Sequence, residues 1–204
     1  MTNRIFFDLD GTLIDSRRRL YSLFAQLAPE NTFSYEAYWE VKRKRKSQHD
    51  FLREYFEYSD AQVEFFRRAW MSNVEDPERL RLDQPFEGVS DLLAKLALQR
   101  ELYLITARQY PARVKTQVHQ FGWSAYFRDI FVTRQQESKA SLIREKLTCT
   151  GEDILVGDTG EDILSGRELG MKTVAVLSGV LSAEVLMQYR PDQLVDSVVT
   201  NGWY

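Results

Sequence analysis

Residues 4–16 read RIFFDLDGTLIDS, and the fold turns on how this stretch is understood. Ile5, Phe6 and Phe7 have the apolar, aromatic character of a buried strand, yet Asp8 and Asp10 follow at once. A strand over 4–9 would set the two carboxylates on one face, because strand residues two apart share a face. Like charges in a partly dry site repel, and one pKa rises. A purely structural strand has little use for such a pair, so its end is expected to face a ligand. Taken alone, Asp10-Gly11 also suits an ordinary turn with Thr12 as a helix cap.

Working outward, the chain has two textures. From residue 16 to about 76 it is strand-free, aromatic-rich and helical in pattern. Leu20, Leu23, Phe24 and Leu27 fall at the spacing of one helix face, and Pro29 ends that segment. Ser34 can cap a second helix carrying Tyr35, Tyr38 and Trp39. Ser47 with Asp50 and Ser59 with Gln62 read as capping boxes or their close relatives, the second opening a helix with Val63, Phe66, Trp70 and Val74 on one face. Asp76-Pro77 then breaks the pattern.

From about residue 85, short apolar strands alternate with amphipathic helices. Val89, Leu92, Leu93 and Leu96 make a helix face, followed by the strand LYLIT (102–106). Pro111 can open a helix over Val114, Val118 and Phe121 that Gly122 closes. The strand IFVT (130–133) precedes a helix from Ser138 to Leu147. ILVGD (154–158) precedes a helix ending near Gly170, and TVAVL (173–177) follows. A helix at 182–189 and a weak strand at 194–199 complete the chain. This alternation predicts an α/β fold: a doubly wound parallel sheet with helices on both faces. The opening strand belongs to that sheet, so the helical block is an insertion. The expected domains are a core of 1–15 with 80–204 and an all-helical cap of 16–79.

Composition narrows the function classes. The 204 residues are 44% hydrophobic, enough for a packed core in one domain carrying an insertion. The net charge of -3 offers no global field for nucleic acid or an anionic membrane, and neither is expected as a partner. One cysteine, Cys149, excludes an internal disulfide, and two histidines, His49 and His119, do not make a histidine-rich metal cluster. Cys149 and His119 carry no motif and are read as structural. No segment approaches the ~18 apolar residues of a membrane span, and the N-terminal apolar run is broken by Asp8, so a soluble cytoplasmic protein is expected. Monomer and homodimer are left equally open.

In open parallel sheets, ligands sit at the carboxyl ends of the strands. There the sequence places Asp8 and Asp10, Thr106 at the end of LYLIT, Lys139 opening the helix after IFVT, and Asp158 with Asp162 one helical turn on. Four carboxylates, a hydroxyl and a lysine thus meet at one rim. Oxygen-only ligation suits Mg²⁺, which takes a few carboxylates plus water and a substrate phosphate. The cation would also neutralise the carboxylates that otherwise repel.

At this point the residues resemble a family. DLDGTLIDS is similar to the first motif of the haloacid dehalogenase superfamily, LITA (104–107) to its second, Lys139 to its third, and VGDTGEDI (156–163), of the form G-D-x-x-x-D, to its fourth. The order matches over 4–177, and the helical block resembles the family's cap between the first two motifs, of the phosphoglycolate-phosphatase-like type. The resemblance implies a Mg²⁺-dependent phosphatase for a small phosphomonoester, working through an aspartyl-phosphate. Asp8 would be the nucleophile, and Asp10 the general acid and then base, its pKa raised towards neutrality by its neighbour. Gly11, Thr106, Ala107, Arg108 and Lys139 would receive the substrate phosphate. Asp8, Asp10, Asp158 and Asp162 would form the metal site, Asp162 in support.

Alternatives stand beside this reading. Lys139 is followed by Ala140 where the family often has proline, and Lys115 and Lys146 compete with it, although both lie within helices. Arg108 departs from the family's frequent asparagine after the threonine; it would touch a substrate phosphate or only a surface acid. The run KRKRK (42–46) reads as a solvated helix face, with Gln48 and His49 beyond it able to meet an anionic substrate. The cap aromatics Phe51, Tyr55, Phe56, Phe65, Phe66 and Trp70 fit helix packing better than a ligand box. A dehalogenase needs no acid at position 10, whereas a phosphomutase would use it. A receiver-type phosphoacceptor would lack the helical insertion, and an idle binding domain would not need every motif residue.

Overall fold

The structure, a computed structural model, describes residues 3–44 and 47–204; Arg45 and Lys46 of the basic run lie outside the described residues. After β1 (Arg4–Phe7) the chain turns tightly into β2 (Ile14–Asp15) and enters the helices α1 (Arg17–Leu27), α2 (Tyr35–Lys42), α3 (Gln48–Phe56), α4 (Asp60–Asn73) and α5 (Pro77–Leu80). β3 (Gln84–Pro85) pairs antiparallel with β2, so a small ribbon ties the two ends of the helical block. Then come α6 (Val89–Ala97), β4 (Glu101–Thr106), α7 (Pro111–Gln120), β5 (Phe127–Val132), α8 (Lys139–Lys146) and β6 (Ile154–Gly157). The chain ends with α9 (Gly160–Glu168), β7 (Lys172–Val176), α10 (Ala183–Met187) and β8 (Gln193–Val195).

The main sheet has the order β5-β4-β1-β6-β7-β8, with every neighbour parallel. The chain steps outward from β1 to β4 and β5, then crosses to β6 on the other side of β1. Such a reversal of order opens a crevice at the strands' carboxyl ends. The apolar runs of β1, β4, β6 and β7 are buried on both sides, as a parallel sheet between helices requires, while the edge strands β5 and β8 are partly exposed. Ile5, Phe7, Leu102 and Leu104 pack with Leu93 and Leu96 of α6 and with Val114 and Val118 of α7. The alternate residues Phe6, Tyr103 and Ile105 face the other way, onto Leu142 and Ile143 of α8.

The helical block has its own core, centred on Phe24, whose ring meets those of Tyr38, Phe51, Phe56 and Phe66 at 4.6 to 6.2 Å. Its helices α2, α3 and α4 start where oxygen side chains satisfy orphan N–H groups. Ser34 and Ser47 accept from Ala37 and Asp50, and Ser59 with Gln62 forms a full capping box. At Ser47 the reciprocal bond differs from a box: its hydroxyl donates to the Asp50 carboxylate at 2.6 Å. Phe65 faces outward rather than into this core, at 70% exposure, whereas the half-exposed Tyr55 still packs its ring on Phe51 and Phe33 at 4.9 and 5.1 Å. No helix among the described residues is long and apolar enough to cross a membrane.

Several boundaries differ from the sequence reading. β1 stops at Phe7 instead of residue 9, because the Leu9 carbonyl is taken by the N–H groups of Leu13 and Ile14 in a turn. Pro77 does not merely break a helix; it occupies the first turn of α5, where its missing N–H costs nothing. β8 is shorter than 194–199, since its ladder to β7 runs only from Gln193 to Val195. The ribbon of β2 and β3 was not anticipated: two-residue strands leave no periodicity to read.

Candidate active site

The site forms where β1, β4 and β6 end and where α8 and α9 begin. Asp8 is the first residue past β1, but its backbone keeps sheet geometry, its N–H donating to the Val156 carbonyl at 2.9 Å. Its side chain is buried, with Oδ1 receiving Lys139 Nζ at 2.5 Å and Oδ2 the Thr12 hydroxyl at 3.4 Å. Lys139 reaches this point because Ser138 caps α8 at the sheet's rim. The same ammonium donates to Asp162 Oδ1 at 2.6 Å. Asp162 Oδ2 accepts from the Thr159 backbone at 3.1 Å and the Thr159 hydroxyl at 2.6 Å, closing the capping box that starts α9.

Asp158 lies between them. Its Oδ2 accepts from the Val180 N–H at 2.8 Å, while its Oδ1 is buried with no partner among the described residues. Two glycines make room for this carboxylate. Gly11 sits at φ +82°, and a Cβ there would come within 2.5 Å of Asp158 Oδ2; a Cβ on Gly179 would overlap the same group. Ligand atoms of Asp8, Asp158 and Asp162 fall within 4.8 Å of one another. Three buried carboxylates face one ammonium, and the pKa values register the deficit. Burial raises Asp8 to about 7, with Asp162 adding to the rise and Lys139 opposing it. Burial, Asp8 and Asp162 raise Asp158 well above the usual carboxylate range. Lys139 moves up although burial opposes it, because Asp162 and Asp8 hold its proton. An orphaned carboxylate oxygen in an oxygen-rich, charge-deficient cluster fits a hard divalent cation.

Asp10 does not join this cluster. Its side chain turns to Arg108, which donates through Nε at 2.6 Å and Nη2 at 2.7 Å, and to Arg19 of α1. Asp83 backs both arginines, accepting Arg19 Nε at 2.8 Å and Arg108 Nη2 at 3.0 Å, and also takes Gln117 Nε2 at 3.0 Å. The raised Asp10 pKa expected from sequence is therefore reversed. Burial does push it up, but the Arg108 and Arg19 charges override burial and hold it well below the usual carboxylate range. Its placement as a carboxylate ligand of the metal is likewise not what the side chain does here.

A cavity of about 260 Å³ opens between these groups, lined among others by Asp8, Asp10, Thr106, Ala107, Arg108 and Lys139. The structure thus brings Asp8, Thr106, Ala107, Lys139 and Asp158 to one rim, with Gly11 against Asp158. Lys115 lies elsewhere, and Lys146 pairs with Glu145 on the surface. Arg108 is buried, and its Nη1 has no partner among the described residues although the cavity touches this side chain. Sequence reasoning missed Arg19, Asp83 and Gln135. Arg19 had a readable signal: it stands one turn before Leu23 on the apolar face of α1, where a charge is unexpected unless paired. Gln135 lines the cavity from a left-handed backbone, φ 57°, rare for a residue that is not glycine.

Residues 5–176 match the haloacid dehalogenase-like hydrolase family. The chain is 26% identical to the pyrophosphatase PpaX of Halalkalibacterium halodurans, over 96% of this chain and 93% of that one. Among solved structures it is similar to a haloacid dehalogenase-like family hydrolase from Streptococcus pneumoniae, with TM-score 0.79, 22% identity, and 96% and 94% of the two chains covered. It is also similar to the HAD-hydrolase YfnB of Bacillus subtilis bound to magnesium, with TM-score 0.64, 16% identity, and 97% and 95% covered. The match spans all four motifs and the helical insertion between the first two, and on it this chain, a hydrolase, belongs to the haloacid dehalogenase-like hydrolase family.

Proposed function

We propose that this hydrolase is a Mg²⁺-dependent phosphatase for small-molecule phosphomonoesters, with Asp8 as nucleophile and Asp10 as proton carrier. The observation that carries the reading is the Asp8 carboxylate, held at 2.5 Å by a buried lysine and bordered by Asp158 with one oxygen unpartnered. Asp8 and Asp158 would hold the cation, with Asp162 oriented beside them by Thr159. Mg²⁺ bound there would supply positive charge that keeps Asp8 ionised and offsets charge on a phosphoryl group; YfnB, a protein of similar fold, is bound to magnesium.

The chain's own groups would divide the remaining work. Asp8 attacks phosphorus, a carboxylate–phosphorus bond forms, and the bond to the leaving alcohol breaks. Lys139 stays by Asp8 as a fixed positive charge where negative charge builds up. Thr106 and Ala107 line the phosphoryl pocket, and the turn at Gly11 lies beside Asp158 at its edge. Arg108 offers its unpartnered Nη1 to an oxygen of the substrate. Asp10 delivers a proton to the leaving oxygen and later takes one from the attacking water. Since two arginines hold it ionised, Asp10 can take up a proton only when the incoming substrate draws Arg108 or Arg19 away.

The test is turnover of a panel of small phosphomonoesters with and without Mg²⁺, beside Asp8→Asn. Metal-dependent phosphate release that disappears in the variant is the expected result. A variant that keeps full activity removes Asp8 from the nucleophile's role.

A further inference from the structure

The helical block holds a second, larger cavity of about 590 Å³. It shares the wall residues Leu20, Trp70 and Val180 with the phosphoryl pocket, so the two adjoin. Its other walls are largely apolar and aromatic, including Trp39, Leu52, Val63 and Phe66. Phe66 and Trp70, whose pattern fits helix packing better than a ligand box, both border this space as well. The size is that of a pocket for a whole organic ligand, roughly 300–1,000 Å³. A glycolate or a second phosphate as leaving group would abandon most of it to water, the whole volume matching about twenty molecules at ~30 Å³ each.

The polar groups in the wall are as telling as the apolar ones. Two donors lack any acceptor among the described residues: the indole Nε1 of Trp39, a residue only 6% exposed, and the amide Nε2 of Gln48. Gln48 is oriented by Tyr38, whose hydroxyl donates to its Oε1 at 3.2 Å, which commits the acceptor end and leaves the donor end over. Buried donors are almost always paired in a folded protein, and two such exceptions fall in one cavity wall. The charged groups that border the cavity, Lys42 and Arg67 with Asp60 and Glu64, balance, so the unmatched polar groups of the wall are these two donors. The missing partner is therefore an acceptor, and the aromatic walls favour a flat group to carry it.

We propose that the substrate's leaving alcohol carries a planar apolar ring bearing a hydrogen-bond acceptor, seated in this cavity against Trp39 and Gln48; this rests on the phosphatase reading above. The ring fills the aromatic space while the phosphate lies at Asp8, and the acceptor selects among ring-bearing esters. Pyrophosphate and phosphoglycolate fill only the inner pocket and are poor substrates.

Benzyl phosphate and 4-carboxybenzyl phosphate test this, since they release alcohols of similar acidity and differ in the acceptor. The expected result is a kcat/KM about tenfold higher for the carboxylated ester, the scale of one or two hydrogen bonds, with both benzyl esters ahead of pyrophosphate and phosphoglycolate. Trp39→Phe and Gln48→Met should each move the ratio between the benzyl esters towards one, chiefly through KM. A wild-type ratio near one, a ratio that neither substitution moves, or faster turnover of pyrophosphate or phosphoglycolate overturns the proposal and leaves the phosphatase reading standing. If no ester is hydrolysed, the phosphatase reading fails instead, and the cavity is read by binding. By calorimetry, 4-(hydroxymethyl)benzoate should bind the Asp8→Asn protein about tenfold more tightly than benzyl alcohol; equal or absent binding sinks the inference.

Discussion

Among the described residues, Asp158 and Asp162 stand around Asp8 with a single cation, Lys139, and Asp83 stands by Asp10 with two, Arg19 and Arg108. The two clusters begin two residues apart on one turn and share a cavity wall, yet one is short of positive charge and the other is balanced. A buried cluster with excess like charge is incomplete without a cation. A balanced one is complete as it stands and opens only when a competing anion arrives. The same residue type thus sits in a charge-deficient cluster in one place and in a charge-balanced one in the other.

Replacing each aspartate in turn is the strongest way to break this comparison. Asp8→Asn should lower kcat by on the order of 10⁴-fold or more, as loss of a covalent nucleophile does. Asp10→Asn should cost about 10²- to 10⁴-fold, the range of a proton carrier. The second loss should shrink for an activated ester such as para-nitrophenyl phosphate, whose leaving group needs no proton. Steady-state kinetics on an alkyl and an aryl phosphate separate the two. Equal losses on both esters would remove Asp10 from the proton's path.

The balanced cluster should matter more to folding. Asp83 pairs both arginines and is 2% exposed, so Asp83→Asn leaves two buried guanidiniums short of charge. Breaking a buried ion pair in this way costs about 3–5 kcal/mol. Urea denaturation should show a lower midpoint with an unchanged slope. A variant as stable as the wild type would mean that the arginines do not depend on Asp83.

How much of this was legible in the sequence follows from what each feature leaves behind as pattern. The parallel sheet was readable because its strands are continuous apolar runs, each ending at a residue of different chemistry: Thr106, Asp158, Asp8. Lys139 was readable by position, at a strand-to-helix junction, even with Ala140 after it. The partners of Asp10 were not. Arg108 and Asp83 are 25 residues apart, Arg19 and Asp83 are 64 apart, and no local spacing announces a contact made by packing α1 against the core. Without those arginines, the neighbouring carboxylate looked like the dominant influence on Asp10, and its pKa came out with the wrong sign. The cavity beside Trp39 and Phe66 was hidden for a related reason, because apolar periodicity reports burial and cannot tell packed walls from a lined space.

Titration gives the clusters opposite signatures. The folded-state pKa of Asp8 lies at about 7, above its ordinary value of 3.8, so the folded chain holds a proton that the unfolded chain releases between about pH 4 and 7. Stability of the metal-free protein should fall as pH rises through that window. Asp10 shifts downward, so its contribution is present throughout that window and is lost only as pH falls below the ordinary carboxylate range. Denaturation in EDTA at pH 5 and pH 8 should show the wild type less stable at pH 8, by roughly 2–4 kcal/mol. Asp8→Asn should flatten the difference. A wild type more stable at pH 8, or an Asp8→Asn slope equal to the wild type's, would contradict a charge-deficient site.

Magnesium should reverse that deficit, and Asp158 decides whether it acts where the orphaned oxygen is. At a hundredfold excess over Kd, a ligand that binds only the folded state adds about 2.7 kcal/mol. For a chain of this length that is about 5–10 °C in Tm, at ~2–4 °C per kcal/mol. Asp158→Asn should lose this gain. In EDTA, however, the variant should melt no lower than the wild type, because an amide oxygen can still accept from the Val180 N–H while one of three crowded charges is gone. Asp83→Asn, weakened in the balanced cluster, should keep the magnesium gain in full. If Asp158→Asn retained the gain and Asp83→Asn lost it, the cation would belong with the arginine-bound acids, and the contrast between the two clusters would be inverted.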